Sequence, residues 1–164
     1  MYKTLNRLIV FFLALIISGI CRAQDPVDCT DRLVVCGNTN LSFNSSGSGR
    51  NDFATPGNPV PDCQVQENQS LWLSIPIEAD GTLGFTITPN NSVDDYDFAL
   101  FGPDVSCTTL GPSLRCSFAS PSPTGQTGMR AGEPDNSESP TGDGFVNAVD
   151  VKAGETYVLL IDNF

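Results

Sequence analysis

The chain has no histidine among its 164 residues. That absence removes Ser-His-Asp and Cys-His nucleophilic sites and every histidine-ligated zinc centre. Basic residues are scarce as well, with eight Lys and Arg against nineteen Asp and Glu. Three of the eight, Lys3, Arg7 and Arg22, fall within residues 1–23, where there is no acid. Residues 24–164 therefore carry a net charge of −14, compared with −11 for the whole chain. Such a surface repels phosphate backbones and anionic lipid and draws divalent cations, so nucleic-acid binding is excluded. There is no C-x-x-C: six residues separate Cys29 from Cys36 and eight separate Cys107 from Cys116. Neither a redox centre nor a zinc ribbon is supported. No phosphate-binding glycine loop is present, because Gly47-Ser48-Gly49 sits in a serine-rich stretch with no strand before it.

Long hydrophobic runs are also missing. The longest, Leu8–Ile20, covers about 13 residues, short of the roughly 20 that a spanning helix needs. With Lys3 and Arg7 before it and Cys21-Arg22-Ala23 after it, the run reads as a helical signal peptide over residues 1–23. Ser18-Gly19-Ile20-Cys21 approximates a lipobox, but Ile20 is bulky for the residue before a lipidated cysteine. Residues 24–164 are then a secreted or cell-surface domain with no transmembrane segment left after cleavage.

Removal of Cys21 leaves Cys29, Cys36, Cys63, Cys107 and Cys116, and in an exported protein these point to disulfides. Cys107 and Cys116 flank the Leu110-Gly111-Pro112 turn and form the first-choice pair. Cys36 with Cys63 is the second, tying the ends of a long loop, and Cys29 is left over. Sequence alone leaves the connectivity open.

What remains is a succession of short strands. Ser70–Ile77 alternates with a period of two, setting Leu71, Leu73, Ile75 and Ile77 on one face and Trp72 on the other. Thr82–Thr88 is amphipathic through Leu83, Phe85 and Ile87. Tyr96–Phe101 and Thr156–Ile161 carry apolar bulk on both faces and read as central, doubly covered strands. Short strands are also expected at Arg32–Cys36, Leu41–Phe43, Leu114–Ala119 and Phe145–Val151. Ser120–Asp143, rich in Pro, Gly and Ser, reads as disordered; alternatively it is a long loop gathering Glu133, Asp135, Glu138 and Asp143 near Asp94–Asp97. No segment beyond residue 23 keeps a helical period over ten residues. The fold class is all-β: an antiparallel β-sandwich. The chain stops at Phe164 directly after an apolar strand, as a fragment of a longer protein would.

Ser70-Leu71-Trp72-Leu73, Gly81-Thr82-Leu83-Gly84-Phe85, Asp95-Tyr96-Asp97-Phe98 and Ala153–Leu159 occur in this order in pre-peptidase C-terminal-like domains, which the chain resembles and which imply a jelly-roll-like sandwich. Asp28-Cys29, Val35-Cys36-Gly37-Asn38, Cys107–Cys116 and Thr127-Gly128-Met129 are similar to the N-terminal region of large gliding-motility-associated proteins of Bacteroidota. The likeness implies a non-catalytic, adhesin-like surface module handled by the type IX export machinery, with a sorting domain beyond Phe164. It also admits an accessory domain of a secreted hydrolase.

Three chemistries remain to be weighed. Asn90–Asp97 is an Asn/Asp-rich loop able to offer oxygen ligands, which makes Asp94, Asp95 and Asp97 candidate calcium ligands. Their ordinary role would be as solvated turn residues, with Asp97 capping a backbone N–H or pairing with Arg115. Asp95, Asp97, Glu133 and Asp143 could supply a glycosidase pair, but loops with few aromatics make a poor sugar cleft, so no catalytic residue is expected. Trp72 and Tyr96 either form a sugar-stacking platform, as in a carbohydrate-binding module, or pack in the core, and packing is the commoner fate. The expected partners are thus a surface glycan or a protein.

Overall fold

A computed structural model describes residues 26–44, 47–59, 63, 65–121 and 124–164. The signal-peptide segment lies outside these residues. Among these residues eleven strands form: β1 Leu33–Val34, β2 Ser70–Pro76, β3 Gly81–Leu83, β4 Phe85–Ile87, β5 Tyr96–Phe101, β6 Arg115–Ser117, β7 Thr127–Arg130, β8 Ser137–Glu138, β9 Phe145–Asn147, β10 Val149–Val151 and β11 Thr156–Asn163. The fold is all-β, as the alternation predicted.

The first layer is a six-stranded sheet ordered β1-β2-β11-β5-β6-β8. Its centre is antiparallel, with Leu159 opposite both Leu73 and Leu100. The second layer comprises β4-β7-β9 and the pair β10-β3. Three pairings, β1–β2, β6–β8 and β7–β9, are parallel and only two or three residues long. The two apolar faces expected of β5 and β11 are both used. One face of the large sheet packs Phe98, Leu100 and Leu159 against Met129, Val146 and Val151 of the second layer. The other packs Trp72, Phe101 and Leu160 under irregular loops. Burial of each such side chain contributes about 1.5–3 kcal/mol.

The loop layer is held by two bridges, Cys29–Cys107 and Cys63–Cys116. This corrects both expected pairs, Cys107–Cys116 and Cys36–Cys63, and leaves Cys36 rather than Cys29 as the free, exposed thiol. The reason is topological. Cys116 lies on β6, inside the sheet, while Cys107 sits in the preceding loop, so each reaches a different covering segment. Cys36 follows β1 at the open edge of the sheet, away from both.

Other expectations change too. Leu41–Phe43 forms no strand, and Leu41 and Phe43 are 48% and 36% exposed. The stretch Ser120–Asp143, which reads as disorder, supplies β7 and β8, with Thr127 and Met129 buried. The Thr82–Thr88 strand is broken in two at Gly84, where a Cβ would lie 2.9 Å from the Met129 carbonyl oxygen. Glycine lets the β7 backbone come that close. Once β7 ends at Arg130, β10 takes its place beside β3, shown by Val149 opposite Leu83.

Candidate functional site

The three candidate calcium ligands are spread along the start of β5. Asp94 closes a turn, its N–H donating to the Asn91 carbonyl. Asp95 is partly buried and one of its carboxylate oxygens has no hydrogen-bond partner. Asp97 is buried and stands opposite Asp162 across the β5–β11 pair. Among the described residues no three acidic or thiol side chains come together in a way that could hold a metal ion. The arrangement therefore gives the calcium reading no support.

It does create an uneven pair of carboxylates. Asp162 is fully buried and accepts from Asn68 N at 2.7 Å, Gln69 N at 2.9 Å, Asn68 Nδ2 at 2.9 Å and Ser70 Oγ at 3.2 Å. Burial raises its pKa and those donors pull it back. Asp97 accepts no hydrogen bond among the described residues. Burial, with the charges of Asp95 and Asp162 beside it, pushes Asp97 up to about 7. Of the two, Asp162 alone has a ring of donors that opposes the effect of burial. Arg115 does not pair with Asp97. It donates instead to the carbonyls of Asn147 and Leu114.

A second group of acids, not singled out from sequence, organises the loop layer. Asp52 accepts from the Cys29 N–H at 2.8 Å. Glu67 accepts from Asp52 N at 2.6 Å and from the Trp72 indole at 3.0 Å, and burial raises Glu67 to about 7. Asn58 spans Asp52, Cys107 and Leu110 through three hydrogen bonds. These side chains satisfy loop backbone that no strand covers. Glu133 and Asp143 gather on Arg130, which also sits 4.0 Å over the Phe145 ring. Trp72 is fully buried and packs on Phe53 and Phe101, so it cannot serve as a sugar platform.

A concave feature lies elsewhere. A groove of about 840 Å³ opens between residues 37–43 on one side and 83–90 on the other. Its floor is Leu71, Leu73, Ile75, Leu159 and Ile161 from β2 and β11, with Tyr96 at one end. The volume falls within the range of ligand-binding clefts. Among the described residues none that lines it is charged, on a chain with nineteen acids. Asn38, Asn40, Thr86 and Asn90 supply amide and hydroxyl groups, so the lining is apolar below and neutral-polar above. Sequence reading did not find this groove because residues 37–43 and 83–90 converge only through tertiary packing. The one local signal was an amphipathic strand interrupted by glycine.

Comparison with protein-family models, curated proteins and solved structures finds no match to this chain.

Proposed function

We propose that this chain is a non-catalytic, extracellular binding module of an adhesin-like protein working at the cell surface or after secretion. The observation that carries the reading is the groove: a cleft of ligand-binding size whose lining holds no carboxylate, amine or thiol. Such a surface can hold a ligand by burial and hydrogen bonding, and its hydroxyl groups, on Thr39, Ser42, Thr86, Thr88 and Tyr96, have no carboxylate or imidazole beside them in the lining to activate them. Two disulfides support an oxidising location. Among the described residues no helix is long and apolar enough to cross a membrane. The resemblance to gliding-associated surface proteins fits the same role, and the type IX export machinery is the partner it implies.

A carbohydrate-binding module is the second reading, favoured by Tyr96 and Phe43 lining a groove with an amide-rich rim. An accessory domain of a secreted hydrolase remains compatible, since such a domain also binds without turnover. The test uses the oxidised protein processed after Ala23. It is titrated with neutral oligosaccharides and with uncharged peptides, and assayed for peptide and glycoside hydrolysis. Binding without turnover is the expected result, and turnover of any substrate by this chain alone overturns the reading.

A further inference from the structure

The groove has a feature that ordinary ligand clefts lack, because one of its walls is an unfinished sheet edge. β3 and β4 form one interrupted strand from Gly81 to Ile87. β10 pairs with its first half and β7 with its second, and both lie on the same side because β10 follows β7 in that position. Among the described residues no strand pairs with it on the opposite side. Among the described residues no other backbone hydrogen bond reaches residues 81–88. Alternate N–H and C=O groups of this seven-residue edge therefore project toward the groove.

Exposed edges are usually blunted by lysine, proline or an inward charge. Here residues 81–87 hold no charged residue and no proline. The facing segment, residues 37–43, does not pair with the edge and leaves Leu41 and Phe43 partly exposed. Below lies the apolar floor of β2 and β11. The second layer is thus three strands wide against six in the sheet it covers, and a vacant track runs along β4.

We infer that the groove binds an extended, uncharged peptide segment of a partner protein as an added strand on the β3–β4 edge. This rests on the binding-module reading above and names its ligand class. The backbone of the incoming strand completes the ladder with residues 81–87. Every second side chain then points down onto Leu73, Ile75 and Ile161, which selects small or medium apolar residues there. The intervening side chains meet Asn38, Asn40 and Thr86, which selects neutral polar ones. A charged residue in the buried phase would enter a cleft with no counter-ion and be rejected.

The experiment is a heteronuclear NMR titration of the oxidised, processed protein. The probe is a capped nine-residue peptide alternating valine with threonine. Controls are the same peptide N-methylated on alternate amides in each of the two phases, and a neutral β-linked glucose hexasaccharide. Expected are shift changes and slowed amide exchange within residues 81–88, at least tenfold weaker binding by one N-methylated phase, and at least tenfold weaker binding to Leu41→Asp. Leu41 is half exposed, so that variant keeps the fold, checked by its melting curve. Equal binding of both N-methylated peptides overturns strand addition. So does the absence of any change at residues 81–88 with millimolar peptide. If the hexasaccharide alone perturbs the groove, the peptide assignment fails while the binding-module reading stands. If neither probe perturbs it, both fail.

Discussion

The two faces of the six-stranded sheet are buried by opposite means. On one face, Phe98 and Leu159 lie under a second layer of strands whose backbone groups satisfy one another, and that layer holds no cysteine. On the other, Trp72 and Phe101 lie under loops whose backbone groups are met by Asp52, Asn58 and Glu67 and whose ends are closed by both disulfides. A strand layer gains cooperativity from its ladder. A loop layer has none, and here it depends on covalent closure and on buried acids that must be kept solvated by donors.

The comparison can be broken most forcefully by reduction. The bridges close sequence separations of 78 and 53 residues, so in the chain-entropy model each stabilises the fold by about 4 kcal/mol. Denaturant titration with and without reductant should show a loss of that order. Hydrogen exchange should place the first loss of protection in residues 29–65 and 105–118. Simultaneous loss at Phe98 and Leu159 would show the two faces to be a single cooperative unit.

Next in size, Phe98→Ala on the strand-covered face should cost about 3–5 kcal/mol, since Phe98 is fully buried against Phe85 at 5.1 Å. Phe53→Ala in the loop layer should cost clearly less, because Phe53 is only partly buried. Equal losses in chemical denaturation would mean that the loop layer packs as tightly as the strands do.

A smaller effect is expected from pH. Asp97 is raised from 3.8 to about 7, and Glu67 from 4.5 to about 7, by burial first of all. A carboxyl whose folded value lies above its unfolded value favours the folded state when protonated. The contribution is complete below about pH 4 and is lost as pH rises to about 7. Melting temperatures should therefore decline between pH 5 and 7.5 and level off above that. Asp97→Asn should flatten part of this slope and raise stability at pH 8. A slope unchanged in that variant would assign the proton to another group.

The smallest effect belongs to Cys36→Ser, expected within about 0.5 kcal/mol of the parent, as for an exposed side chain with no partner. Thiol titration of the folded, oxidised protein processed after Ala23 should count one reactive group, and the variant none. Two or more in the parent would contradict the bridges.

How much of this could be read from the chain itself depended on the range of the forces involved. β2, β5 and β11 were legible because side-chain alternation is local: Leu71 and Trp72 announce opposite faces by adjacency alone. β7 was not, since Thr127-Gly128-Met129-Arg130 carries one large apolar side chain and owes its strand to pairing with Phe85 and Phe145. Cystine pairing failed for the same reason, because proximity to a turn says nothing about which covering loop a cysteine meets. The acids followed suit. Asp97 stood out as a carboxylate within an apolar strand, while the register that places Asp162 opposite it depends on sheet order. The groove is the extreme case, defined by a strand that is missing.

The two cystines also interleave along the chain in the order 29, 63, 107, 116. Any one peptide bond cut between residues 30 and 115 is spanned by at least one of them, so a single proteolytic nick there releases no fragment. Damage to the long serine- and glycine-rich loops would show on a reducing gel and leave the chain in one covalent piece.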